Sequence, residues 1–136
     1  MLFRSYADMA NLIAPKDELP RKLAVLAAHC ADMDRDPSTI NKTGLFSVIQ
    51  GPDAAAADRL RDGFLAARGM DWSALDEGTR TALMARMVIG DPDSVAEQVR
   101  SLIDLGLDGI CMNLPANGHD PEAVAATVAN VAKAVG

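Results

Sequence analysis

The sequence is poor in the side chains that build metal centres and disulfide frameworks. Its 136 residues include two cysteines, two histidines and one tryptophan, and only 4% are aromatic. Cys30 falls in a predicted helix and Cys111 in a predicted strand, so we interpret both as reduced core residues of a cytosolic protein. His29 and His119 do not combine with them in any usual ligand spacing, and we predict no metal site. No side chain stands out as a catalytic group.

Clustered positive charge and long apolar runs are also missing. The chain has 13 Lys and Arg against 19 Asp and Glu, a formal net charge of −6, and its basic residues are scattered. That distribution excludes a nucleic-acid backbone or an anionic membrane surface as partner, because both require clustered Lys and Arg. No apolar stretch approaches the roughly 20 residues of a membrane span, and the start lacks a secretory signal. We therefore expect a cytoplasmic protein.

Apolar segments of two kinds alternate along the chain. Hydrophobic residues make up 49% and charged residues 24%, which suits one globular domain with a core. Short apolar runs predict strands at residues 7–13, 43–49 and 109–114. Helical spacing predicts helices over residues 17–33, about 51–68, 79–88, about 92–105 and 120–135. Strands that alternate with helices predict an α/β fold, with a parallel sheet and helices outside it.

The clearest local signals are two helix starts. Asp91 is placed to cap a helix whose first position is Pro92, and Asp120 with Pro121 repeats the pattern. Pro52 is predicted near the first position of an earlier helix.

Two blocks, in this order and at this spacing, carry a family resemblance. The first runs from Tyr6-Ala7-Asp8-Met9-Ala10-Asn11-Leu12 through Arg21-Lys22-Leu23-Ala24-Val25-Leu26 and His29-Cys30 to Arg35-Asp36-Pro37. The second runs from Gly90-Asp91-Pro92-Asp93-Ser94-Val95-Ala96-Glu97-Gln98-Val99 to Gly106-Leu107-Asp108-Gly109-Ile110. Together they resemble the C-terminal part of the bacterial luciferase-like monooxygenase family, most of all its subgroup that depends on the deazaflavin coenzyme F-420.

The resemblance implies a partial TIM (β/α) barrel. The family folds as eight strand–helix units, of which residues 6–136 would supply about the last three, while residues 1–5 are interpreted as a non-native leader. The parent protein would be an oxidoreductase that transfers hydride between coenzyme F-420, or alternatively FMN, and a small organic substrate. Because the first five strands carry most of the pocket, we expect this fragment to be inactive alone.

The family's active site lies at the carboxyl ends of the barrel strands. In this chain those positions are Asn11 after the first predicted strand, Gln50 and Gly51 after the second, and Asn113 after the third. A side-chain amide can bond a flavin-type ring or a phosphate, since it offers both a donor and an acceptor. The alternative is that Asn11 and Asn113 merely satisfy backbone groups of their loops.

Two further hypotheses come from other classes of protein. The chain could be a free-standing, non-catalytic α/β binding module that covers its sheet edge by forming a homodimer. It could also be one half of a split enzyme whose N-terminal half is a separate polypeptide.

Overall fold

The structure, a computed structural model, describes residues 7–136. The proposed leader at residues 1–5, and Tyr6 of the first sequence block, lie outside the described residues. The strands are β1 (Met9–Leu12), β2 (Asn41–Gln50), β3 (Met87–Gly90) and β4 (Gly109–Asn113). The helices are α1 (Leu19–Asp32), α2 (Ala54–Ala66), α3 (Glu77–Met84), α4 (Pro92–Asp104) and α5 (Pro121–Val135).

The long strand β2 is the centre of one parallel sheet. β1 pairs with its residues 41–44, β4 with residues 43–47 and β3 with residues 47–50. A strand residue has one neighbour on each side, so the shared positions place β4 on one edge of β2 and both β1 and β3 on the other. The strands β1, β2 and β4 are therefore successive neighbours, as consecutive strands of a barrel wall are.

The predicted α/β class and the three predicted strands are confirmed, and one helix prediction is partly wrong. The helix expected over residues 79–88 ends at Met84, and Met87–Gly90 forms the additional strand β3. The apolar residues of this segment are compatible with a helical period as well as with a strand. The segment is a strand because it pairs with residues 47–50 of β2. That partner is far away in the sequence.

Four helices begin at an aspartate whose carboxylate accepts a backbone N–H of the first turn. These caps are Asp53, Asp76, Asp91 and Asp120. The predicted caps at Asp91 and Asp120 are confirmed, each with proline at the next position. The start predicted near Pro52 is wrong by two residues, because Asp53 accepts from Ala56 N at 2.7 Å and Pro52 precedes the cap.

The main core lies between one face of the sheet and helices α1, α4 and α5. Its central members are Leu19 of α1, Phe46 and Val48 of β2, Val95 and Val99 of α4, and Val131 of α5. A smaller cluster on the opposite face packs Ile49, Met87 and Ile89 against α2 and α3. No helix within residues 7–136 is both long and apolar enough to cross a membrane.

Candidate functional site

The sheet face opposite α1, α4 and α5 is only partly covered. Alternate residues of a strand share one face, and here they form a set that we call the open face. The open face consists of Met9, Asn11, Asn41, Thr43, Leu45, Ser47, Gly109, Cys111 and Asn113. Two contacts link its members: Thr43 Oγ1 donates to Asn11 Oδ1 at 3.1 Å, and Cys111 Sγ donates to Thr43 Oγ1 at 3.7 Å.

The open face lacks the cover that a parallel sheet normally has. Parallel sheets occur almost only with both faces buried. Here α2 and α3 cover only the end of this face that carries Ile49, Met87 and Ile89. Met9 is 56% exposed, and neither Leu45 nor Cys111 belongs to a core cluster. The interpretation of Cys111 as a core residue is therefore wrong for the described chain, while Cys30 is buried as predicted.

The two predicted asparagines lie on this open face but far apart along it. Asn11 is opposite Thr43 and Asn113 is opposite Ser47, four positions further along β2. At about 3.3 Å per residue, the positions of the two asparagines are about 13 Å apart along the strand direction. Asn11 is bound to a side-chain hydroxyl rather than to loop backbone. The structure thus puts both amides on one surface without bringing them together.

Gln50 points to the other face of the sheet. Its Oε1 accepts from Asn130 Nδ2 at 2.7 Å, and the same amide donates to Pro92 O at 2.8 Å. Asn130 of α5 therefore connects the end of β2, through Gln50, to the start of α4. Gln50 does not share a surface with Asn113.

Gly51 allows a close approach between β2 and the start of α2. Its N–H donates to Gly90 O at 3.1 Å. A Cβ at this position would lie 2.5 Å from Ala57 N, which is backbone and cannot turn away. The position therefore requires glycine for packing, whatever else it contacts.

Gln50 and Gly51 line a cleft at the carboxyl end of β2, with a volume of about 490 Å³. We call it the carboxyl-end cleft. Its other lining residues are Pro52, Leu60, Pro92, Asn117, Asp120, Glu122, Ala123, Ala126 and Thr127.

Asn117, in the loop between β4 and α5, is the polar residue that sequence reasoning missed in this cleft. It is 9% exposed, and its Nδ2 donates to Gln50 O at 3.4 Å. Its Oδ1 is buried and has no hydrogen-bond partner among the described residues. The only signal in the sequence was an asparagine in the glycine-containing loop that follows a strand.

Lys16 is a second missed group, just beyond β1. Its Nζ donates to Gln98 Oε1 at 3.2 Å, and Gln98 Nε2 donates in turn to Ile89 O at 2.8 Å. Burial lowers the pKa of the Lys16 ammonium, because desolvation disfavours its charged form. Within residues 7–136, no group of three or more His, Cys, Asp or Glu side chains is arranged to hold a metal ion.

Comparison with solved structures identifies similar folds, whereas comparison by sequence finds no match. No family model and no curated protein matches the chain. Among solved structures, EDTA monooxygenase EmoA from Chelativorans sp. BNC1 superposes with a TM-score of 0.74 at 19% identity, over 98% of this chain and 40% of that one. The coenzyme F-420-dependent tetrahydromethanopterin reductase from Methanopyrus kandleri gives 0.63 at 17%, over 94% and 45%.

A third similar structure is the oxygenating constituent of 3,6-diketocamphane monooxygenase from Pseudomonas putida, in complex with FMN. It gives a TM-score of 0.62 at 17% identity, over 97% of this chain and 42% of that one. The chain therefore spans less than half the length of each of these structures. These neighbours are TIM barrels of luciferase-like enzymes, and the likeness confirms the predicted partial (β/α) barrel fold.

Proposed function

We propose that this chain is the C-terminal part of a luciferase-like oxidoreductase, and that it is inactive without the rest of the barrel. The parent enzyme transfers hydride between a flavin-type cofactor and a small organic substrate. The observation that carries the proposal is the open face, a parallel-sheet surface with amide and hydroxyl groups and only partial cover. In a closed barrel such a surface would line the interior and its mouth.

The sheet edges support the same proposal. In the described residues, β1 and β4 each have a parallel neighbour on one edge only. Unpaired edges expose backbone N–H and C=O groups, and barrel closure removes such edges. Three wall strands with their helices correspond to the 40–45% of the similar structures that this chain spans.

The residues of the open face fit the ring of a flavin-type cofactor. The amide of Asn113 and the hydroxyl of Ser47, which are opposite each other, offer donors and acceptors for ring carbonyl and N–H groups, and Asn11 offers a second amide about 13 Å away along the face. Such a cofactor supplies the hydride-transfer chemistry when it is bound. The chain's own residues would orient the ring, and Leu45 with Met9 would help to exclude water once the barrel is closed.

The cofactor phosphate does not fit the helix starts of this chain. A phosphate can bind at a helix N-terminus through free backbone N–H groups. Four of the five helices here carry an aspartate cap that already accepts one or two of those N–H groups and adds negative charge. The fifth start, at Leu19 of α1, has no capping side chain, but the acidic residues Asp17 and Glu18 precede it. We therefore assign the phosphate to the part of the barrel that would precede this chain. The choice of coenzyme F-420 over FMN rests on the subgroup resemblance.

The test is to extend the chain by the reading frame that precedes it. We expect that frame to encode five more strand–helix units, and the extended protein to bind coenzyme F-420 or FMN in separate fluorescence titrations. The 136-residue chain alone should bind neither. Absence of such a frame, or an extended protein that binds neither cofactor, would contradict the proposal.

A pair of variants of the extended protein locates the cofactor. Asn113→Ala removes an amide at the carboxyl end of β4 and should weaken cofactor binding roughly tenfold, the value of one or two hydrogen bonds. Asn41→Ala, at the amino end of β2, is the matched control and should leave binding unchanged. Equal effects of the two substitutions would place the cofactor elsewhere.

A second candidate function follows from the exposed apolar groups in and just after β1. Met9 is 56% and Ile13 68% exposed, and both are close to the free edge of β1. A non-catalytic module could cover them by dimerising through that edge, which light scattering would show as a stable dimer. A split enzyme would instead gain cofactor binding on addition of a separate N-terminal half.

A further inference from the structure

We propose that the carboxyl-end cleft binds a small organic cation through its N–H groups, such as a primary ammonium or guanidinium. This site is distinct from the open face, since no member of the open face lines it. It is formed entirely by residues of this chain. The inference therefore stands or falls independently of the proposed oxidoreductase function.

The first argument is the unpaired oxygen of Asn117. Its Oδ1 is buried without a hydrogen-bond partner among the described residues, although the residue lines the cleft. Leaving a buried acceptor unsatisfied is unfavourable, so a donor that enters the cleft is stabilised there. Rotating the Asn117 amide by about 180° would not give it a full set of hydrogen-bond partners. It would turn the Asn117 oxygen towards Gln50 O, which is also an acceptor.

The second argument is that the donors at this helix start are already occupied or absent. Asp120 Oδ1 accepts from Glu122 N at 3.0 Å and from Ala123 N at 3.3 Å. The hydroxyl of Thr127 donates to Ala123 O at 2.8 Å. Pro121, at the first helical position, has no N–H. An anion that approached this end of α5 would find a carboxylate instead of free N–H groups.

The third argument is charge. The charged side chains that line the cleft are Asp120 and Glu122, and neither Lys nor Arg lines it. A cation that carries N–H groups therefore suits both features of the cleft, the unpaired acceptor of Asn117 and the negative charge of its lining. Hydrogen bonds with a charged partner are about twice as strong as neutral ones.

The chemistry of the cleft favours an organic cation over a metal ion. No metal-binding group of three or more His, Cys, Asp or Glu side chains occurs in residues 7–136. Leu60 and Ala126 add an apolar wall for the carbon skeleton of a ligand. The volume of about 490 Å³ is in the range of small-molecule sites.

The experiment is a titration of the ¹⁵N-labelled full chain followed by amide NMR spectra. The probe is propylammonium chloride. Tetramethylammonium chloride has the same charge without N–H donors, and sodium phosphate tests an anion. We expect saturable shifts of the Asn117 side-chain amide and of the Gly51 and Gly118 backbone amides with propylammonium only. Absence of saturation, an equal response to tetramethylammonium, or a response to phosphate would overturn the proposal.

Three variants make the test specific. Asn117→Ala should weaken propylammonium binding tenfold or more, because it removes the unpaired acceptor. Glu122→Gln removes one exposed carboxylate and should weaken binding about threefold. Glu97→Gln, on the exposed side of α4, is the matched control and should change nothing. If Asn117→Ala fails to fold by circular dichroism, the comparison of Glu122→Gln with Glu97→Gln decides, and equal affinities would refute the site.

Discussion

Single residues decide how closely the elements of this chain approach one another. Gly51 lets the backbone at the start of α2 reach the end of β2, where a Cβ would lie 2.5 Å from Ala57 N. A Cβ added at Gly63, inside α2, would meet no heavy atom within 4 Å beyond the backbone of its own helix. The same amino acid therefore has a packing role at one position and none at the other.

This contrast gives a matched pair of substitutions. Gly51→Ala should lower the free energy of unfolding by about 1–3 kcal/mol, because backbone atoms must shift to accept the methyl group. Gly63→Ala should raise it by about 0.5–1 kcal/mol, because alanine favours the helix and nothing blocks it. Urea denaturation followed by circular dichroism measures both. A harmless Gly51→Ala would show that the close approach is not maintained in solution.

Lys16 gives the chain a pH dependence in alkaline solution. Its pKa is lowered from the ordinary 10.5 by burial, so the folded state releases this proton before the unfolded state does. Just below pH 10.5 the unfolded chain therefore binds more protons, and the free energy of unfolding should rise with pH in that window. Lys16→Met should abolish this rise, and urea denaturation at several alkaline pH values measures it. An unchanged slope in Lys16→Met would contradict the assignment.

At the scale of elements, β2 and β4 are joined at their start by a two-way contact. Asp108 N donates to Lys42 O at 2.6 Å, and Lys42 N donates to Asp108 Oδ2 at 2.8 Å. Lys42 Nζ is 3.1 Å from the same Oδ2. The backbone hydrogen bond from Lys42 is the main cause that lowers the pKa of Asp108, followed by the side-chain hydrogen bond from Lys42. This contact helps to set the register of the two strands.

Asp108→Ala should therefore destabilise the fold at neutral pH by about 0.5–1 kcal/mol, a modest value because the carboxylate is exposed. Since the pKa of Asp108 is lowered in the folded state, its contribution is present above the ordinary 3.8 and is lost as the pH falls through the folded value. The difference between wild type and variant should thus shrink in acid, which urea denaturation at several acidic pH values measures. Asp104→Ala, at the exposed end of α4, is the control and should leave the free energy of unfolding at neutral pH nearly unchanged.

At the scale of the whole molecule, the two faces of the sheet are unequal. Val48 is fully buried beneath the helices, whereas Leu45, which lies on the open face of the same strand, is only half-buried. The main core supports one face, while the open face has no comparable layer of helices within the described residues. The stability of the isolated chain should therefore depend on one face much more than on the other.

Truncating one residue on each face tests this asymmetry. In the isolated chain, Val48→Ala should cost about 2 kcal/mol and Leu45→Ala less than about 1 kcal/mol, because less burial is lost at the half-buried position. In a protein extended by the preceding strands, Leu45→Ala should cost about 2–3 kcal/mol. Chemical denaturation of both proteins supplies the numbers. Similar costs at the two positions in the isolated chain would mean that something, such as a second copy, already covers the open face.

Local patterns were enough for much of the architecture. Helical periodicity and the Asp-Pro starts at Asp91 and Asp120 predicted helices that the structure confirms, because capping and amphipathic spacing act within one or two turns. The order of strands and helices predicted a parallel sheet, since parallel neighbours need long connections. The rule that sites lie at carboxyl ends of strands selected Asn11, Gln50, Gly51 and Asn113, and their role as site residues stays a prediction.

Long-range pairing decided the rest. The short strand β3 exists because residues 47–50 of β2 supply its partner, and no pattern within Met87–Gly90 contains that partner. Strand register placed Asn11 and Asn113 on the open face and Gln50 on the other, since side chains alternate and one position changes the face. Tertiary packing also left Asn117 Oδ1 unpaired in the cleft. The sequence by itself determined the helices and three of the four strands, because those signals are local. Only the tertiary structure decided that β3 is a strand and which side chains meet, because those contacts join distant segments.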